Sequence, residues 1–127
     1  MALRAADRPA AASEPKSNAQ TIEGVWVHVG EPGNVAPAPR SGGRFKFRMS
    51  NRWTFTQADP ATGLVKAHFD GTYRVLGNEY IETIDYSTDP DDPELRSTLK
   101  FTVKVEGDMM TQTGVGNPYT EVWQRVR

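Results

Sequence analysis

The sequence predicts an all-β domain, an eight-stranded antiparallel up-and-down β-barrel. Short segments that alternate apolar and polar residues recur along the chain, which is the pattern of strands with two different faces. Turn sequences rich in Gly, Pro, Asn and Asp separate these segments, and no amphipathic helical pattern interrupts them. Closure into a barrel also removes the exposed edges that a flat sheet would have.

Length and composition exclude several classes of function. The 127 residues suit one domain, predicted over residues 21–127 after a disordered leader, 1–20, that is rich in Ala, Pro and Ser. A net charge of −1 with scattered basic residues argues against nucleic-acid binding. No cysteine is available for a disulfide or a thiolate metal site, and no segment approaches the roughly 20 apolar residues of a membrane span. The oligomeric state, a dimer included, and the compartment, cytoplasmic or exported, stay open.

The alternating segments predict eight strands, at 22–29, 44–49, 52–57, 64–75, 79–86, 95–105, 109–113 and 119–126. Residues 30–43 are rich in Pro and Gly and cannot pair as a strand, so they form either a lid over the barrel mouth or a surface loop. The acidic run 87–94 does not have EF-hand spacing, and we expect it to be a solvated loop.

The first and the last predicted strands carry residues that belong to one sequence pattern. Gly24 and Trp26 form a Gly-x-Trp motif, and Arg125 lies near the end of the final strand. Over residues 22–127 this arrangement resembles the lipocalins, in particular the small bacterial lipocalin-like domains of the calycin superfamily. The resemblance implies a barrel that carries a small ligand, with Trp26, Trp123 and Arg125 in structural roles. Trp26 would then lie against Trp123 or under Arg125, where cation–π attraction adds to burial.

The alternation also predicts an inner face that is mostly apolar. Its members are Phe45, Phe47, Met49, Trp53, Phe55, Phe69, Tyr73, Ile84, Leu99, Phe101 and Val103. In the second predicted strand the other face carries Arg44, Lys46 and Arg48, which we expect outside. An eight-stranded barrel is wide enough either to be filled by such side chains or to hold one small ligand.

Several polar groups share the predicted inner face: His28, Tyr80, Glu82, Tyr86, Tyr119, Glu121 and Arg125. Burying one charged side chain without a partner costs on the order of several kcal/mol, so the charged groups on this face need an explanation. Three explanations are open. The groups form a structural network in which Arg125 pairs with Glu121 or Glu82, or they orient a ligand. Alternatively, His28 forms an acid–base pair with Glu82 or Glu121.

We therefore expect the barrel to bind a small, largely apolar molecule, with no cofactor. The expected contact residues are His28, Phe47, Trp53, Phe55, Phe69, Tyr73, Tyr80, Glu82, Tyr86, Phe101, Tyr119 and Glu121. One alternative is an enzyme of the isomerase, cyclase or hydratase type with His28, Glu82 and Glu121 as catalytic residues. Another is a structural barrel that binds a protein partner. No metal site is expected, because the only histidines, His28 and His68, fall on opposite predicted faces.

Overall fold

The computed structural model describes residues 21–127, so the leader predicted over residues 1–20 lies outside the described part. Within it the strands are β1 (Gly24–Glu31), β2 (Asn34–Val35), β3 (Gly43–Met49), β4 (Arg52–Ala58), β5 (Val65–Leu76), β6 (Glu79–Ser87), β7 (Thr98–Glu106), β8 (Met109–Val115) and β9 (Glu121–Arg125). No helix of this part is long and apolar enough to cross a membrane.

Every neighbouring pair of strands is antiparallel, and the sheet closes on itself. The order runs from β1 to β3 and then consecutively to β9, which pairs back with β1. Trp26 pairs with Arg125 across this closing seam, and His28 pairs with Trp123. The two-residue strand β2 pairs only with the end of β1. The predicted eight-stranded barrel, with its first and last strands adjacent, is confirmed.

Tight hairpins fix the register of neighbouring strands. Ser50 and Asn51 join β3 to β4 with positive φ angles of 51° and 68°, and Gly77, with a φ of 64°, begins the predicted Gly-Asn turn between β5 and β6. Positive φ at both central residues, as at Ser50 and Asn51, gives a turn whose twist matches that of the flanking strands, and so does a Gly with positive φ at the first central position, as at Gly77. The register of the barrel wall is therefore set locally, by which residues flank each turn.

The two faces of β3 are opposite to those predicted. Lys46 and Arg48 lie inside the barrel and are 4% and 1% exposed, whereas Phe47 and Met49 lie outside and are 43% and 69% exposed. Phe45 also faces outward, where it packs against a cluster of valines from β1 and β9. The prediction of Phe47 as a ligand contact is therefore wrong.

The hairpin between β3 and β4 gives the physical reason. A two-residue loop pairs Met49 with Arg52, and the next pair is Arg48 with Trp53. Cross-strand partners share a face, so the inward Trp53 brings Arg48 inward. The outward aromatic side chains of β3 lie beside valines of β1, since Phe47 pairs with Val25.

A bulge in β6 places Tyr86 outside the barrel, where it is 64% exposed, and corrects its prediction as a ligand contact. Tyr86 pairs with Asp70 and Ile84 pairs with Gly71, so Asp85 is one residue more than β5 can match. An extra residue reverses the alternation beyond it. Gly71 is required at this point, because a Cβ there would lie 1.7 Å from a carbonyl oxygen of β6.

Part of the interior is packed solid. The buried hydrophobic cluster of the interior includes four residues that line a cavity, described below, and six that do not. We call these six the filled core: Ile22, Trp26, Tyr73, Tyr80, Val103 and Met110. Trp26 donates from Nε1 to the Ile22 carbonyl oxygen at 2.9 Å. The Arg125 guanidinium lies 4.3 Å from the Trp26 ring and donates to the backbone oxygens of Glu23 and Thr21. Trp26 is thus under Arg125, and Arg125 satisfies its donors with backbone and not with Glu82 or Glu121.

Candidate functional site

The rest of the interior holds a cavity of about 140 Å³. Its aromatic wall is formed by Trp53, Phe55, Phe69, Phe101 and Trp123, and the aliphatic wall by Ile84 and Leu99. Its polar groups are Lys46, Glu82, Glu94, Tyr119 and Glu121. The loop 30–43 contributes none of these side chains; its Ala38 packs against the valine cluster on the outer surface, so this part of the loop is not a lid.

A buried ion pair faces the cavity. Lys46 Nζ lies 3.0 Å from Glu82 Oε2 and 3.2 Å from Oε1, and both residues are 4% exposed. The ammonium also lies 5.1 Å from the Trp53 ring and 5.5 Å from the Trp123 ring. Burial lowers the pKa of Lys46, and the Glu82 carboxylate opposes that shift. Glu82 therefore points inward, as predicted, but its partner is Lys46 and not Arg125 or His28.

A hydrogen-bonded chain continues from Glu82 into the filled core. The Tyr80 hydroxyl donates to Glu82 Oε2 at 2.7 Å, and Arg48 Nε donates to that hydroxyl at 3.0 Å. Burial raises the pKa of Tyr80 well above its usual value, which keeps the phenol protonated as a donor. Arg48 Nη2 donates to Gln112 Oε1 at 2.9 Å. Among residues 21–127, nothing pairs with Arg48 Nη1 or Gln112 Nε2, although both atoms are buried.

The mouth of the cavity carries two carboxylates and a phenol. Glu121, at the start of β9, accepts a hydrogen bond from Trp123 Nε1 at 3.3 Å, and is only partly buried. Glu94 lies in the loop before β7. Hydrogen bonding to Glu94 is the main reason that the pKa of Tyr119 is raised, and partial burial adds to it.

Eleven of the twelve predicted contact residues fall into three groups, and His28 is described separately below. Those that line the cavity are Trp53, Phe55, Phe69, Glu82, Phe101, Tyr119 and Glu121. Tyr73 and Tyr80 belong to the filled core, behind the cavity wall. Phe47 and Tyr86 are on the outer surface, for the reasons given above.

His28 lies on the inner face of β1 but does not line the cavity. Its ring meets the edge of Trp123, with centroids 5.2 Å apart. Burial lowers the pKa of His28; Glu121 and Glu31 oppose the shift, and Arg44 adds to it. No hydrogen bond or ion pair joins His28 to Glu82. Of the two acid–base pairs predicted, that of His28 with Glu82 is not assembled, whereas the Glu121 carboxylate is near enough for its charge to act on the pKa of His28.

Sequence reasoning missed Lys46 and Glu94. Lys46 could have been found from the Ser50-Asn51 turn, because a two-residue hairpin puts it on the face of Phe55, and a buried Glu82 needs a cation. Glu94 carries no such signal, since it lies in a loop whose path no periodicity sets. In the described part of the chain, no three His, Asp or Glu side chains come together as a metal site.

Comparison with known proteins supports the fold. No protein-family model and no curated protein matches the sequence. A lipocalin-like protein from Bacteroides uniformis ATCC 8492 matches with a TM-score of 0.57 at 12% identity, covering 83% of this chain and 98% of that one. An uncharacterised protein from Bacteroides eggerthii DSM 20697 matches with a TM-score of 0.56 at 12% identity, covering 82% and 98%.

At this identity the likeness concerns the fold and not the ligand or the activity. It agrees with the Gly24-x-Trp26 motif and with Arg125 stacked on Trp26 at the closing seam. The chain therefore has a lipocalin-like β-barrel fold, and both matched structures are of bacterial proteins.

Proposed function

We propose that the protein binds a small, largely apolar molecule inside the barrel. The observation that carries this proposal is the cavity, which has a mostly apolar wall and a few convergent polar groups. Phe55 and Phe69 stack at a centroid distance of 5.3 Å and are only partly buried. A ligand that covers such surface gains roughly 25 cal/mol per Å² of apolar area removed from water.

The volume limits the size of the ligand. At about 140 Å³ the cavity is smaller than the roughly 300–1,000 Å³ of pockets for drug-sized ligands. An apolar cavity of roughly 150 Å³ holds one benzene molecule. The ligand is therefore a one-ring molecule, or a longer one that inserts a single ring.

The buried ion pair gives the ligand a polar contact at its inner end. An ammonium has three N–H donors, and the two contacts from Lys46 to Glu82 use at most two of them. A carbonyl or hydroxyl oxygen on the ligand would accept from the remaining donor. Lys46 and Glu82 would thus orient the molecule, while the aromatic wall supplies most of the binding free energy.

Calorimetric titration with benzyl alcohol tests the proposal. The parent protein should bind it, and Leu99→Trp, which fills the cavity, should not. Leu76→Trp is the matched control, because Leu76 is 58% exposed and does not line the cavity. Equal binding by both variants would place the ligand elsewhere. Native mass spectrometry of the purified protein would then identify any molecule that it retains.

Acid–base catalysis in the same cavity is a second candidate, favoured by one observation. Lys46, Glu82 and Glu121 all line the cavity, so titratable groups are in reach of whatever binds there. An isomerase, cyclase or hydratase would lose turnover in Glu82→Gln and keep its affinity for the ligand. A pure binding protein would lose affinity and have no turnover to lose.

A further inference from the structure

The charges on the cavity wall do not balance. Four charged side chains line it: Lys46, Glu82, Glu94 and Glu121. Lys46 and Glu82 neutralise each other at 3.0 Å. Within residues 21–127, no ion pair joins a cationic side chain to Glu94 or Glu121. The mouth therefore has an excess of two carboxylates.

The neighbours of these carboxylates are neutral donors or more distant charges. Glu121 accepts from the Trp123 indole, and Glu94 is near enough to the Tyr119 phenol to raise its pKa. Glu94, Asp92 and Glu121 together raise the pKa of Tyr119, so the phenol lies in a negative potential. The nearest cation that lines the cavity is Lys46, which interacts with the charge of Glu121 but forms its ion pair with Glu82. Arg44 is exposed and His28 packs on Trp123, and neither lines the cavity.

We propose that the ligand is a small organic cation, an amine carried on a single apolar ring. This inference rests on the proposed function, since it names the chemical class of the molecule in the same cavity. The ring lies against the aromatic wall, and the ammonium lies at the mouth between Glu94 and Glu121.

Two properties of the wall favour a cation over other ligands of the same size. An ammonium leaving water needs charged or strongly polar partners, and carboxylates give the stronger, charge-assisted hydrogen bonds. Aromatic faces such as those of Trp123 and Phe55 also attract cations. A ligand carboxylate at the mouth would instead meet two like charges, which suppresses binding. At the inner end, the charge of the Lys46 ammonium is already neutralised by Glu82.

Three probes that share one ring test the inference: benzylamine, benzyl alcohol and benzoate, titrated calorimetrically at neutral pH and fixed salt. Benzylamine should bind at least about tenfold more tightly than benzyl alcohol. A tenfold change corresponds to about 1.4 kcal/mol, which two partly exposed ion pairs, from the ammonium to Glu94 and to Glu121, can supply together. Benzoate should bind more weakly than the alcohol. Added salt should reduce the preference for the amine.

Glu94→Gln with Glu121→Gln should abolish the preference for benzylamine, measured in each variant as the ratio of its affinity to that for benzyl alcohol. Glu106→Gln is the matched control, because its carboxylate is 74% exposed and lies away from the cavity. Thermal melts of each variant establish that it is folded.

Each other result contradicts a defined part of the inference. Equal binding of amine and alcohol would overturn the cationic ligand and leave the proposed function standing. An amine preference that survives in the double variant would show that these carboxylates do not recognise it. If none of the three probes binds, both the amine and the one-ring cavity ligand are wrong.

Discussion

The filled core and the cavity lie in one barrel, yet the polar groups of the two regions differ in what they contact. In and beside the filled core, polar groups bond to the protein itself: Trp26 and Arg125 donate to backbone carbonyl oxygens, and Arg48 donates to Gln112. In the cavity, Glu94 and Glu121 face space that a ligand can enter. Aromatic side chains differ in the same way, since Tyr80 is 0% exposed while Phe55 remains partly buried. Incomplete burial of an inward aromatic side chain therefore marks only part of the cavity wall, because Trp53, Phe101 and Trp123 line the same cavity and are 2% exposed or less.

Truncation in the filled core should have the largest effect. Trp26→Ala removes a side chain that is 0% exposed and carries the Arg125 guanidinium at 4.3 Å. We expect a loss of about 3–5 kcal/mol in the free energy of unfolding, the range for large aromatic truncations. Denaturant melts measure it, with Phe47→Ala on the outer surface as the control. A loss for Trp26→Ala no greater than for Phe47→Ala would contradict the packing described here.

The ion pair of Lys46 with Glu82, at the boundary between the two regions, should show strong coupling between the effects of its two substitutions on the free energy of unfolding. Lys46→Met leaves the Glu82 carboxylate buried without its cation, and Glu82→Gln leaves the ammonium without its anion. Each should cost about 3 kcal/mol, the lower end for breaking a buried pair. The double variant should cost less than the sum by about 1 kcal/mol or more. Strict additivity of the two losses would show that the pair contributes nothing as a pair.

Replacing Arg48 and Gln112 by apolar side chains should raise the free energy of unfolding, whereas the substitutions above lower it. Both are buried, and each keeps a donor that nothing in the described chain accepts. Replacing a buried polar pair by apolar side chains of similar volume is often neutral or stabilising. Arg48→Met with Gln112→Met should change the unfolding free energy by about 1 kcal/mol, as a gain. A loss larger than that of Arg48→Met alone would show that the polar pair stabilises the core.

How much the sequence predicts depends on the kind of signal. Alternation predicts the strands and the closed barrel, and it places Trp53, Phe101 and Glu82 inward, as observed. It does not say which face of a strand is the inner one when both are plausible. On β3, Phe47 and Lys46 compete for the interior, and only pairing through the adjacent hairpin decides between them.

Features that reverse or lack periodicity are harder to predict. The bulge at Asp85 is a single unpaired residue, and it alone moves Tyr86 from the inner face to the outer one. Glu94 reaches the cavity from a loop, where the path depends on tertiary contacts. The volume left between the walls also follows from packing and not from pattern, so the sequence cannot separate the cavity from the filled core.

The smallest effect that we predict is a dependence of stability on pH. His28 packs on Trp123, and burial holds its pKa below the value of 6.5 that it has in an unfolded chain. As pH falls through 6.5, the unfolded chain takes up the proton first, so stability is lost until the lower pKa of the folded state is reached. Above 6.5 the contribution is fully present.

Unfolding measurements between pH 7.5 and pH 5, compared with His28→Gln, isolate this contribution, because glutamine does not titrate. Glu121 opposes the shift, so Glu121→Gln should lower the pKa of His28 further and extend the loss of stability to lower pH. Parallel pH profiles for the parent and His28→Gln would mean that the imidazole is as well solvated in the folded protein as in the unfolded chain. His28 would then belong to neither the filled core nor the wall behind the cavity.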